Sequence, residues 1–267
     1  GYTQGDLEGG RLDWRALTPP EYTALDQHAL QELSTQGVMN PIEKEYLRKD
    51  GSRVPILLGG ARLAEGEMQG VAFVLDLTER KRAEARLEAL QQITARLGSA
   101  LTVEEAYRAV LQERLGDLEA ERPSVALVQG DEMHMTFTSD ADPALVRRWS
   151  QFPLAAALPA SEVARSGEPL FLSPESLRNR YSTLNLPPES LEHATAILPL
   201  RLGRQVLGTL NLGFARDHTF DQDEQEFLQA VADQLAQALR RTRLYEELHQ
   251  SEQRYRALSE AQKRFVS

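Results

Sequence analysis

Residues 220–267 contain neither Gly nor Pro, so no residue in that run forces a helix to stop. Asp221 followed by Glu224 reads as a capping box, and from Phe227 onward apolar side chains return every three or four residues. A helix over the whole run would be about 70 Å long at about 1.5 Å per residue. That exceeds what one small domain needs. The expectation is a helix that leaves a folded domain and carries a signal to an output module beyond Ser267, which would make the chain a regulatory region without a complete active site.

Composition narrows the choices. The chain has 267 residues, enough for roughly two ordinary domains. No apolar run approaches the roughly 20 residues of a membrane span, and no signal-peptide pattern opens the chain, so a cytoplasmic location is expected. A formal net charge of -10 without a basic stripe argues against nucleic acid as a partner. There is no cysteine, which removes disulfides, zinc-thiolate sites, thiol nucleophiles and thioether-linked chromophores together.

Residues 1–77 begin with Gly1-Tyr2-Thr3, Trp14 and Thr18-Pro19-Pro20. Thr18 as N-cap with Pro19 at the first helical position predicts a helix carrying Tyr22, Leu25, Ala29 and Leu33, with Gly37 at its end. Three strand-like runs follow: Ile42 to Leu47, Val54 to Leu58 and Val71 to Leu75. Asp50-Gly51 joins the first two as a hairpin, and a second turn is expected around Gly66.

This order resembles the C-terminal half of a PAS domain, on the residues Glu45-Tyr46-Leu47-Arg48-Lys49-Asp50-Gly51-Ser52, the strand after them, and Asp76-Leu77-Thr78-Glu79-Arg80-Lys81. The family's first strands and short helices are missing, so half of the pocket wall is missing with them. The resemblance therefore implies a truncated packing or dimerisation module, with no cofactor in it.

Residues 78–101 predict a charged helical linker. Ala83, Leu87, Leu90, Thr94, Leu97 and Leu101 follow alternating steps of four and three, the spacing of a coiled-coil seam. The alternative is that this stripe packs on the neighbouring domain. Gly98-Ser99 ends or bends the helix, and Thr102 with Glu105 forms a capping box for the next.

Residues 102–243 predict one complete domain. Its second helix is expected to carry Ala106, Val110, Leu115 and Leu118 on one face. Strands are expected at Val125–Val128, Met133–Thr138, Leu170–Leu172, Thr195–Leu202 and Val206–Phe214. A long connection between the second and third has helix starts at Ser161 and at Ser173-Pro174-Glu175; such connections are often binding loops or lids. Gly208 marks a place where backbone approaches backbone.

Ser166-Gly167-Glu168-Pro169-Leu170, Ala196-Ile197-Leu198-Pro199-Leu200, Gly203, Gly208-Thr209-Leu210-Asn211-Leu212 and Phe220-Asp221-Gln222-Asp223-Glu224 resemble a GAF domain. The resemblance implies an α+β fold: an antiparallel sheet with helices on one face and a ligand pocket on the other. Cyclic-nucleotide-binding members carry an Asn-Lys pair, where this chain has Asn211-Leu212. Bilin-binding relatives attach their chromophore through cysteine, so no covalent bilin is expected. His134, His193 and His218 are the haem-ligand candidates, but none has a second ligand or pocket motif beside it, so no haem is expected. Arg178, Tyr181 and His193, in or just beyond the long connection, are the candidate contacts for an anionic or aromatic ligand. The bland reading is that they decorate a surface. No Ser-His-Asp, paired-carboxylate or phosphate-loop arrangement has a supporting context, so neither enzyme activity nor a metal site is expected.

Residues 244–267 form the expected signalling helix. One row runs Val231, Leu235, Ala238, Thr242, Tyr245; a second runs Leu244, Leu248, Ser251, Tyr255, Leu258, Gln262, Phe265. They are out of phase by one residue near Tyr245. Read straight through, this is a stammer with two packings of similar energy, or else a change of partner along the helix. Ser251 to Leu258 resembles the opening of another PAS domain, and Glu260 to Ser267 the start of a histidine-kinase dimerisation helix.

The leading expectation is thus the dimeric sensory and signal-transmitting region of a cytoplasmic two-component histidine kinase. Parallel helices would pair two copies, and a kinase module and response regulator would lie downstream. The alternative is a small-molecule-binding GAF module regulating a cyclic-dinucleotide or other signalling enzyme. An unassigned small ligand is a candidate partner in both.

Overall fold

The computed structural model describes residues 2–8, 13–63, 69–111, 115, 118–138, 141–182 and 192–266, and the side chains of residues 7, 8, 250 and 255–266 also lie outside that description. The chain divides into two compact units, residues 1–85 and 86–267.

The first unit contains helices α1 (Gln4–Glu8), α2 (Trp14–Leu17) and α3 (Thr23–Gln36), then strands β1 (Val38–Leu47), β2 (Arg53–Arg62) and β3 (Gly70–Asp76). The strands form an antiparallel sheet in the order β1-β2-β3. At the β1–β2 hairpin Gly51 takes φ 84° and Asp50 Oδ1 accepts from the Ser52 amide at 2.9 Å. Gly37, left-handed at φ 75°, closes α3 through a bond from its N–H to Leu33 O. The expected turn around Gly66 lies outside the described residues.

The start of α3 differs from the expectation. The Thr18 hydroxyl donates to Trp14 O at 2.9 Å and receives the Lys44 ammonium at 3.0 Å, so it closes α2 and caps nothing downstream. Pro20 holds Pro19 extended, at ψ 144°. A 3₁₀ turn over Pro20–Tyr22 intervenes, and α3 begins at Thr23.

The core of this unit is small and partly polar. Ile56, Ala29 and Leu77 are buried together with Lys44 and Asp26. Lys44 Nζ sits 2.6 Å from Asp26 Oδ1 with its side chain fully enclosed, and lies over the rings of Tyr46 and Trp14 at 4.8 and 5.5 Å. Every residue of β3 is exposed, Phe73 by 50%. One helix on three strands covers one face and part of its width.

Helix α4 (Thr78–Ser99) leads into the second unit, which continues with α5 (Val103–Leu111), β4 (Glu121–Gln129), β5 (Glu132–Phe137), α6 (Pro143–Trp149), β6 (Gln151–Pro153), α7 (Pro159–Ser166), β7 (Leu170–Leu172), α8 (Pro174–Arg180), β8 (Ala194–Leu202), β9 (Gln205–Phe214) and α9 (Gln222–Val266). The six strands form one antiparallel sheet, in the order β6-β5-β4-β9-β8-β7. Alternate residues of its central strands, among them Val125, Leu127, Leu198, Leu200, Leu210 and Leu212, pack with α4, α5 and the first half of α9 in the main core.

The buried row of α4 is Arg86, Ala89, Ile93 and Leu97. Of the row read as a seam, Leu97 is buried and Leu90 packs at the edge of the core, whereas Leu87 is 59% and Leu101 67% exposed. The capping box that opens α5 forms in both directions: the Glu105 amide donates to Thr102 Oγ1 at 3.2 Å, and the Thr102 amide to Glu105 Oε2 at 3.3 Å. Leu115 and Leu118, expected on α5, lie beyond its end at Leu111 and form an isolated bridge buried in the core. Gly116 between them is a poor helix former. At Gly208 an added Cβ would stand 2.0 Å from Ala126 O, so the close backbone approach read from the sequence is between β9 and β4.

Candidate functional site

The sheet face away from the main core carries a second environment. Ala126 of β4, Met133 of β5, Phe152 of β6 and Ala160 and Ala164 of α7 form a separate apolar cluster, with Met135 and Trp149 packed against it. Beside it runs a short polar chain. Thr209 Oγ1 donates to Asn211 Oδ1 at 3.1 Å, and Asn211 Nδ2 donates to Ser124 Oγ at 3.3 Å. Strand register places these groups on one face, because Ser124 pairs with Asn211 and Ala126 with Thr209. Leu212, in the position where cyclic-nucleotide-binding relatives carry Lys, points the other way and is 2% exposed in the main core.

The three candidate ligand contacts have different partners. Tyr181, at the C-terminal end of α8, is buried and donates from its hydroxyl to Glu162 Oε2 on α7 at 2.7 Å. Glu162 also pairs with Arg180. Burial, reinforced by the Glu162 carboxylate, holds the Tyr181 phenol far above its ordinary range. The arrangement ties α7 to α8. Arg178 lies on the exposed side of α8. His193 precedes β8, where its Nδ1 lies 3.1 Å from Phe214 O and 3.3 Å from Glu121 Oε2. A carbonyl and a carboxylate both accept, so Nδ1 carries the proton. Glu121 stands at a bulge where β4 shifts register and Arg122 adopts φ 47°, a left-handed conformation uncommon for a non-glycine residue.

Sequence reading missed Glu162, because its α7 turn is 19 residues from Tyr181. It also missed a buried cluster at the start of α9. The Glu224 amide donates to Asp221 Oδ1 at 2.8 Å, as the capping box requires. The Glu224 carboxylate, however, turns inward: Oε1 lies 3.2 Å from Arg86 Nη2 of α4 and Oε2 lies 3.2 Å from His218 Nε2. The latter lacks hydrogen-bond geometry, since neither atom has a hydrogen-bond partner among the described residues. The His218 ring stacks on Phe214 with centroids 4.8 Å apart and meets the edge of Phe220.

Among the described side chains of α9 the last buried one is Thr242. Leu244, Tyr245 and Leu248 are 55%, 55% and 58% exposed. The helix continues without interruption to Val266, and the side chains of Tyr255 and Leu258 lie outside the described residues. Among the described residues there is no group of three or more His, Cys, Asp or Glu side chains able to hold a metal ion, and no helix is long and apolar enough to cross a membrane.

A central antiparallel sheet, helices on one face, an apolar cluster under α7 on the other and a long departing helix make up one α+β domain. The sequence profile of the GAF domain matches residues 76–240, more than half of the chain, and the chain belongs to that family. It is 47% identical over 90 residues to the hybrid signal transduction protein dokA of Dictyostelium discoideum, across 33% of this chain and 5% of that protein. It is 32% identical over 110 residues to the sensor histidine kinase TmoS of Ectopseudomonas mendocina, across 39% of this chain and 11% of that protein. The chain thus spans a small part of the length of these curated relatives. Its fold is similar to the GAF domain of a phosphoenolpyruvate-protein phosphotransferase from Coxiella burnetii, with TM-score 0.53 and 21% identity over 62% of this chain and 98% of that one.

Proposed function

We propose that this chain is the sensory and signal-transmitting region of a cytoplasmic histidine kinase, working as a homodimer whose α4 and α9 helices lie parallel to those of a second copy. The observation that carries the reading is the end of burial along α9. Among the described side chains of α9 the last buried one is Thr242, yet the helix runs on to Val266, a further stretch of about 36 Å at about 1.5 Å per residue. A helix that long needs a partner to cover Leu244, Tyr245 and Leu248. The outward Leu87 of α4 and Leu101, just beyond its end, need one too. That both curated relatives are signalling kinases or hybrid signal transduction proteins supports the same direction.

In this reading the first unit is the truncated PAS-like packing module, and the sheet face under α7 and α8 receives a small ligand. Tyr181 and Glu162 hold that cover closed, and Arg178 and His193 border it. A change there shifts α9, whose packing controls a kinase module and, through it, a response regulator. Sedimentation at high micromolar concentration tests the dimer: a two-copy species is expected, and a strict monomer overturns the reading.

A further inference from the structure

We propose that the groove between the end of α4 and α5 seats the exposed part of α9 from a second copy of this chain. The inference rests on the dimer reading above and adds the surface by which the copies interlock. The groove measures about 360 Å³; Ala100 and Ala109 are its buried apolar residues, Leu101 is an exposed apolar one, and Arg96, Glu105 and Arg108 line it as well.

Three observations select the occupant. The first is level along the helices. Arg241 of α9 donates to the carbonyls of Leu97 and, at 3.1 Å, Ala100, so α9 passes the groove at residue 241. Leu244 lies three residues further, about 4.5 Å along the axis. In a parallel two-fold pair the partner's helix reaches the same level at the same residues.

The second is apolar match. Leu244 and Leu248 are one turn apart on one helix face and more than half exposed, as Leu101 is. One association covers both surfaces. The third is charge. Glu247 borders the apolar row of α9, and Arg108, whose guanidinium pairs with Glu104 at 2.8 Å, lies in the groove with Arg96 and Glu105. A two-fold operation gives each copy one groove and one helix, so the contact closes at two chains and does not propagate.

The absence of cysteine makes the test direct. Leu101→Cys and Leu244→Cys are introduced at exposed sites in separate chains, mixed, and oxidised mildly. The expected result is a disulfide-linked dimer containing one chain of each kind, formed about tenfold faster than any dimer from Leu244→Cys alone. In a second arm Arg108→Glu raises the dimer dissociation constant about tenfold and Glu247→Arg in the same chain restores it, a change of about 1.4 kcal/mol each way. A dimer by sedimentation that links only through Leu244→Cys with itself overturns the groove and leaves the dimer standing. A strict monomer overturns both.

Discussion

Arg86 Nη2 lies 3.2 Å from Glu224 Oε1 across 138 residues of sequence, with both side chains about nine-tenths buried. The pair joins the first turn of the helix that leaves the second unit to the helix that leads into it. Arg86→Met would leave the Glu224 carboxylate buried beside His218 without its guanidinium. The expected loss is about 3–5 kcal/mol, because an uncompensated buried charge costs more than the pair contributes. Arg86→Met with Glu224→Leu should recover most of it. Urea unfolding followed by far-ultraviolet circular dichroism measures both, and a single-variant loss below about 1 kcal/mol would show the pair to be solvated.

Glycine substitutions separate backbone approach from ordinary helix entropy. Gly208→Ala would put a Cβ 2.0 Å from Ala126 O and 2.8 Å from Leu127 Cα, both backbone atoms that cannot give way without parting β9 from β4. A loss above about 3 kcal/mol is expected. Gly98, near the end of α4, has nothing within 4 Å of a built Cβ, and Gly98→Ala should stabilise by about 0.5–1 kcal/mol. Equal effects would contradict the strand geometry.

In the first unit, Lys44→Met should unfold or loosen the domain by about 3–5 kcal/mol by leaving Asp26 buried alone. Lys44→Met with Asp26→Leu should be milder. The two tryptophans allow a local reading: Trp149 belongs to the second unit and Trp14 lies 5.5 Å from the Lys44 ammonium. In a Trp149→Phe background the Trp14 emission reports this unit alone. An unchanged unfolding midpoint in Lys44→Met would remove the pair from its core.

Burial at α5 pushes the Tyr107 phenol up to about 12, with Glu246 adding to the rise and Arg243 opposing it. The unfolded value is about 10. The folded state therefore favours the neutral phenol: its contribution is complete below about pH 10 and is lost as pH rises toward 12. Stability measured from pH 9 to 11.5 should fall more steeply in the natural chain than in Tyr107→Phe. Parallel curves would place the phenol in solvent.

The linker beyond the core offers a functional test. Inserting or deleting one residue between Arg243 and Leu248 rotates everything downstream by about 100°. On the proposed reading, the kinase output of a polypeptide that carries this region should change with each insertion or deletion, while the unfolding midpoint of the second unit stays constant. Unchanged output across the series would leave α9 a spacer.

Local signals were legible wherever a short stretch decides its own geometry. The Asp50-Gly51 turn, the Thr102/Glu105 box, the N-cap at Ser173 and the left-handed Gly37 all appear where residue chemistry places them. Periodicity on α4 was less decisive. Leu87, Leu90, Leu97 and Leu101 suggested one seam, yet the core took the row one step round, Arg86, Ala89, Ile93 and Leu97. A charged residue is not read as a core position until its partner, here Glu224, is known. Thr18 shows the same limit, since its hydroxyl is held by Trp14 and by Lys44, 26 residues away.

By itself, the sequence determined a cysteine-free GAF-family α+β domain, the places where its strands turn, and a final helix that nothing interrupts. The family came from the resemblance of its motifs; the turns and the helix follow from backbone preference and apolar spacing, which act over a few residues. Only the tertiary structure decided that Tyr181 answers to Glu162, that His193 answers to Phe214 and Glu121, that a buried charge cluster holds the root of α9, and that Thr242 is the last buried side chain among the described residues of that helix. Such pairings depend on which groups lose water together, and that is set by contacts between elements far apart in the chain.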